Sequence, residues 1–380
     1  MVKKSFNIDV EPKVVRWAIK SSGYSIEELS KKIRISENTI NGWIEGRKQP
    51  TLQQVENLSK HLKMPLAVFF LPKPPEEKPL PKDYRMLPGK EGIFDKKTIL
   101  AIRTARRLQK VSKELSENLH RGLKPDISPV NLVSNPQEIA KNYRDMFQIT
   151  EDIQKKWKTS YEAFNTLKEL IEKRNIFVFQ TSMPIEDARG FTLADDTPPV
   201  IVINSKDQIE ARIFSLVHEF AHVLLNKSGI DMPENFNNSD KVERWCNEFA
   251  AAFLLPADAF TKTKNKENLT ETKTLDYLSK RYNVSKHMIL YNMHKLNYIT
   301  HTQYKEVLER YKQLQKESGE KKKKKGGSLP DRRCISEKGK KLISLVSANV
   351  ENNFITNKDA LDYLSIKSKH YDKILAKIKE

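Results

Sequence analysis

Apolar residues recur at helical spacing along most of the chain, and three short stretches near its middle read instead as strands. The first helix predicted is Pro12–Lys20, closed by Gly23. Ser25, with Glu28 three positions on, is a capping box for Ile26–Ile33, and Ser36 caps a run from Glu37 to Gly46. Thr51 opens a fourth helix after Pro50, and Pro65–Leu71 packs as a fifth. Two short capped helices across the tight turn Arg34-Ile35, with Ile and Trp spaced for a core, predict a helix-turn-helix. Pro72–Pro81 is too rich in proline for helix or strand and reads as a stiff linker. Asp95–His120 is a long basic helix, and Trp157, Tyr161, Phe164, Leu167 and Ile171 form one apolar face of another. Ile176–Phe179 is a short strand, whereas Gly190–Leu193 and Val200–Ile203 flank a turn as an antiparallel pair.

Helical periodicity returns at Phe214–Leu225, and again where Val242, Cys246, Phe249, Ala250 and Phe253 make a stripe. Thr272–Tyr282 and Ser285–Leu296, joined at Asn283-Val284, are a second helix-turn-helix-like shape. Two or three short helices follow in Ile335–Glu380. The expected fold is α+β and mostly helical. Residues 1–72 are a five-helix domain, 73–90 a linker, and 91–265 a central domain with a small antiparallel sheet. Residues 266–315 are a helical subdomain, 316–334 a Lys/Gly-rich linker, and 335–380 a small helical unit.

Charge alters this picture at one end. The net charge is +19, and residues 301–380 carry 20 Lys and Arg against 11 Asp and Glu. The run Lys321–Lys325 reads as a solvated linker, although so basic a chain associates with nucleic acid through counterion release. The first residues are not apolar, and no run approaches the roughly 20 residues that span a bilayer. Its two cysteines, Cys246 and Cys334, form no CxxC pair. These features predict a cytoplasmic protein without a membrane partner.

The chemistry concentrates in one helix. His218 and His222 are four apart, so both imidazoles leave the same face and their nitrogens converge as two zinc ligands must. Glu219 sits about 100° around the helix, placed for a metal-bound water rather than the metal, as a general base requires. A hydrolytic zinc site takes three protein ligands and leaves one position open. Glu243, 21 residues beyond His222, is the favoured third ligand, with Glu234 and Glu248 as rivals. Asn247, one turn after Glu243, is placed to orient a ligand histidine. His287, Tyr291, His294 and Tyr298 are unranked candidates for stabilising an oxyanion. The spacing of seven among His287, His294 and His301 lacks the convergence of a metal site.

Arg212–His222, the preceding Pro199–Asn204 and the downstream Glu243-x-x-Cys246-Asn247-x-Phe249-Ala250-Ala251 together resemble the IrrE/ImmA-type metallopeptidases, over about residues 160–315. The resemblance implies one Zn2+ per chain on His218, His222 and Glu243, with Glu219 as catalytic base and a transcriptional repressor as protein substrate. Ala221 and Cys246 stand where that family usually has Gly and Ala. Residues 12–71 are similar to the Cro/phage-repressor (XRE-type) helix-turn-helix family through Trp43, Gly46 and Pro50. That similarity implies double-stranded DNA as a partner, met by Glu37, Asn38 and Asn41 with Lys32, Arg47 and Lys48 nearby. Two further readings use the same residues: a DNA-binding regulator whose metal site is structural or sensory, and a toxin–antitoxin or phage-regulation component.

Overall fold

A computed structural model describes residues 6–75, 94–227, 229–231, 240–257, 269–317 and 329–379. The described residues divide into two compact units, the first up to residue 75 with residues 94–107, the second from Leu108 onward. The chain is mostly helical with one small sheet.

In the first unit the expected caps set the element ends. Helix α1 is Pro12–Ser21, α2 Ile26–Ile33, α3 Glu37–Ile44 and α4 Leu52–Leu62. Ser25 and Thr51 each form a reciprocal capping box, and the Ser36 hydroxyl accepts from the Thr39 amide. Helix α2 stops because Arg34 turns left-handed (φ 58°), which lets the Ile35 amide donate to the Ser30 carbonyl. The fifth helix expected at Pro65–Leu71 is a 3-10 turn, Leu66–Phe70. Val15, Ala18, Leu29, Ile40, Trp43, Val55, Leu58 and Phe69 are the core of this unit. Helix α5, Lys96–Asn118, matches the long basic helix expected from the sequence.

The second unit is built on a four-stranded sheet: β1 Phe177–Thr181, β2 Gly190–Leu193, β3 Val200–Asn204 and β4 Gly229–Asp231, in the order β1-β3-β2-β4. The antiparallel pair β2–β3 is present as expected, with Phe191 opposite Val202. Because β1 runs parallel to β3, the sheet is mixed rather than antiparallel throughout. Strand β3 reads Val-Ile-Val-Ile without alternation because it is central and buried along its whole length.

Helices α6 (Pro136–Met146), α7 (Glu151–Lys156), α8 (Ser160–Glu172), α9 (Ile209–Leu224) and α10 (Lys241–Leu254) follow in chain order. The apolar face expected from Trp157 to Ile171 is interrupted: Trp157 ends α7, and Tyr161 is exposed at the start of α8. Helix α9 packs against β2 and β3 and lies beside α8 and α10. An aromatic cluster sets its pose. The Phe220 ring is 5.3 Å from Tyr143 and 6.2 Å from Phe249, and Trp245 stacks on Phe249 at 5.6 Å. Removing one such ring from a packed core costs about 3–5 kcal/mol, so α9 and α10 are held firmly in register.

The helices α11 (Thr272–Tyr282), α12 (Lys286–Lys295) and α13 (His301–Glu317) come next. Last are α14 (Pro330–Glu351), α15 (Asn357–Leu364) and α16 (Tyr371–Lys379). Helix α14 breaks at Gly339, whose φ of 77° suits glycine, and packs along β1. A Cβ on Gly339 would come within 2.0 Å of Glu172 Oε1. Lys168 Nζ and Gln180 Nε2 both donate to the Ser336 carbonyl at 2.9 Å, and Asn349 donates to the Leu115 carbonyl at 2.9 Å. Among the described residues no helix is long and apolar enough to cross a membrane.

Candidate functional site

Helix α9 is buried on nearly every side, so its polar residues are commitments rather than surface decoration. His218 and His222 project together from it, their Nε2 atoms 3.2 Å apart. Glu243 comes from the first turn of α10, where Asp240 caps the helix through the Val242 and Glu243 amides. Its carboxylate oxygens lie 3.3 Å from His218 Nε2 and 3.1 Å from His222 Nε2. All three side chains are fully buried. Burial opposes the charge on Glu243, but the two imidazoles outweigh it by charge and hydrogen bonding and hold the carboxyl well below the usual carboxylate range.

The donor set fits zinc. A tetrahedral ion with bonds of ~2.0–2.1 Å has ligand–ligand edges of ~3.3–3.4 Å, close to the three separations found. Among the described residues, no other His, Cys, Asp and Glu side chains group closely enough to hold a metal. Of the rivals for third donor, Glu248 turns to Lys295 (3.3 Å), and Glu234 lies outside the described residues. Asn247 is buried one turn beyond Glu243 on the same helix. Ala221 and Cys246 are both buried, as small residues at packed faces should be.

Glu219 is not part of the donor group and points to the sheet. Thr192 Oγ1 lies 2.6 Å from Glu219 Oε2 and 3.1 Å from the Glu219 carbonyl oxygen. Gly190, two residues earlier on the same face of β2, leaves the space that the glutamate fills. A Cβ there would stand 3.2 Å from Glu219 Cγ and Oε1, and 3.0 Å from the Val202 carbonyl. Both residues escaped the sequence reading. Their signal was a small and a hydroxyl residue alternating along an otherwise apolar strand.

In the first unit, Lys32, Glu37, Asn38, Arg47 and Lys48 are exposed and Asn41 half-buried, all on or beside α3. Arg47 pairs with Glu45. The Lys48 side chain lies along Gly42, where a Cβ would come within 3.1 Å of its Cγ and Cδ. Among the oxyanion candidates, His287 Nε2 is 3.1 Å from Tyr304 Oη, and His294 packs against His301 and Tyr304 with ring centres 5.3 and 5.4 Å away. Tyr291 is buried, with Lys295 over its ring.

Comparison with known proteins bears on both units. Residues 171–294 match a peptidase family described as the IrrE N-terminal-like domain, and residues 15–69 match the helix-turn-helix family. The chain joins an XRE-type helix-turn-helix domain to an IrrE-like domain. A search of curated proteins found no match. A solved Mycobacterium tuberculosis transcriptional regulator is similar at 16% identity and a TM-score of 0.25, over 42% of this chain and about half (52%) of the regulator's. The IrrE-like match takes in the His218–His222–Glu243 group together with Gly190, Thr192 and Glu219. The helix-turn-helix match takes in all six residues expected to face DNA.

Proposed function

We propose that the chain is a zinc-dependent endopeptidase of the HExxH type that cleaves a regulatory protein, a transcriptional repressor, and so controls gene expression. The observation that carries this reading is the separation of roles around α9. Three buried donors converge within 3.1–3.3 Å, and a fourth side chain, the acidic Glu219, is held beside them but outside their set. Three donors leave a tetrahedral ion one open position, whereas a structural zinc site fills all four with protein. His218, His222 and Glu243 would hold the ion. Zinc in such a site supplies Lewis acidity for peptide hydrolysis. Glu219 is the general base that takes a proton from the attacking water and passes it to the leaving amine. Asn247 supports the donor set from the next turn of α10, and the rigid α9–α10 contact keeps the geometry in place.

The helix-turn-helix domain carries the second half of the reading. On this reading Asn38 and Asn41 of α3 meet base edges, and Lys32, Arg47 and Lys48 beside it meet phosphates of double-stranded DNA, with Glu37 tempering the affinity. The exposure of all but the half-buried Asn41 supports it.

Elemental analysis tests the metal: wild type should carry one zinc per chain and His218→Ala none. Unchanged zinc in that variant discards the site. Incubation of the full chain with repressor proteins tests the chemistry. Glu219→Gln should keep zinc and lose at least about 10²-fold in cleavage rate, and undiminished cleavage would move the base elsewhere.

A further inference from the structure

The hydroxyl of Thr192 is buried in a strand whose other positions are Gly, Phe and Leu, a setting where valine would fill the same space without a polar group. Its one proton can go to either of two oxygens of Glu219, the carboxylate Oε2 at 2.6 Å or the main-chain carbonyl at 3.1 Å. The carboxylate oxygen is the nearer acceptor, so the hydroxyl donates there. Strand β2 is itself clamped between β3 and β4 by antiparallel pairing on both edges. The sheet therefore offers a fixed point independent of the two helices that carry the donor group. Gly190 completes this cradle. On its side the Val202 carbonyl belongs to the β2–β3 ladder and cannot yield, so any side chain at 190 would displace Glu219.

We propose that Thr192 is a positioning residue for Glu219. It fixes the carboxylate by holding Oε2, and it relies on the empty side of Gly190 to keep Glu219 seated against β2. Accepting a proton at Oε1 leaves the Thr192 bond in place, so the base does not swing as it works. This inference rests on the peptidase reading for its catalytic consequence, but the contact itself can be tested without catalysis.

The test uses the full zinc-loaded chain with metal content checked for every variant. Thr192→Val should lower kcat about 10- to 100-fold with KM within about 3-fold, because a misplaced base slows the step without weakening substrate binding. Thr192→Ser should restore kcat to within about 3-fold, and Gly190→Ala should lower it at least about 10-fold with zinc retained. The readout free of activity is a double-mutant cycle on urea unfolding. The loss of midpoint caused by Thr192→Val should be smaller in a Glu219→Ala background than in wild type. Additive losses overturn the proposal, as does a Thr192→Val enzyme with wild-type kcat. If wild type cleaves no repressor while the cycle shows coupling, the peptidase reading falls and the positioning contact stands.

Discussion

Two helix pairs in this chain make the same turn and meet opposite fates. In both α2–α3 and α11–α12 the first helix ends on a left-handed residue, Arg34 (φ 58°) or Asn283 (φ 55°). The next amide, Ile35 or Val284, reaches back to a serine carbonyl, and a serine caps the second helix. The second helices differ. On α3 Ile40, Gly42 and Trp43 are buried while Glu37 and Asn38 face solvent. On α12 every residue from Met288 to Met293 is buried, and Asn292 donates to the Ala251 and Leu255 carbonyls at the end of α10. A helix whose six central residues are all buried has no face to lay along a DNA groove, so α12 is a core element in a helix-turn-helix disguise. The turn is local chemistry, but what the second helix does depends on what covers it.

The largest effect expected from this contrast is a buried charge. Ile289→Asp places an unpaired carboxylate in the core and should cost about 4–5 kcal/mol or more, whereas Asn38→Ala should stay within about 0.5 kcal/mol, both read by urea unfolding of the full chain. Similar costs at the two sites would break the comparison.

Burial in the second unit also reaches an acidic group outside the donor cluster. Burial pushes the Glu172 carboxyl up to about 7 from 4.5, with Lys168 and the Lys341 backbone only partly offsetting it. The folded state thus binds this proton more tightly than the unfolded chain. Its stabilising contribution is fully present below about pH 4.5 and is lost as pH rises through about 7, on the order of 3 kcal/mol in all. Glu172→Gln should remove this component, leaving a variant more stable than wild type at pH 8 and little changed at pH 4.5. A variant that keeps the wild-type pH slope would assign it to another group.

The turn residues themselves sharpen the comparison. Arg34→Gly relieves a left-handed non-glycine at an exposed site and should stabilise by about 0.5–1 kcal/mol. Asn283→Gly loses the Ser160 and Trp157 hydrogen bonds and should destabilise by about 1–2 kcal/mol. Equal responses in thermal melts would mean that the surroundings of the turn do not matter.

The smallest effect is on the exposed helix. Glu37→Gln should raise duplex affinity a few-fold with no change in stability, and Lys48→Ala should lower binding to every sequence and flatten its salt dependence by about one ion. A titration of the full chain against DNA at several salt concentrations reads both.

What was legible in the sequence was whatever depends on neighbours within a turn or two. The capping box at Ser25, the helix start at Thr51, the tight turn at Arg34-Ile35, the strand runs and the four-residue spacing of His218 and His222 are properties of short peptide segments. The buried Ile40 and Trp43 of α3 were legible for the same reason, since their spacing suits a core, whereas its outward residues were implied by the family resemblance. Less local features were not. That β1 pairs in parallel with β3 follows from the crossover between them, not from either strand's residues. Tyr161 fits a helical apolar stripe yet is exposed, since its burial depends on what other segments cover and not on its own spacing.

The sequence by itself determined the first four helices, the strands β1, β2 and β3, the paired histidines and glutamate of α9, and the turn shared by the two helix pairs, because each is set by backbone preference and side-chain spacing along one segment. Only the tertiary structure decided that Glu243 rather than Glu248 meets the histidines, since both lie on α10 and its rotation is set by Phe220, Trp245 and Phe249. It alone brought Thr192 and Gly190 against Glu219, 27 residues further on from the threonine, and closed α12 into the core. Contacts of that kind arise between segments far apart in the chain, where spacing carries no record of the partner.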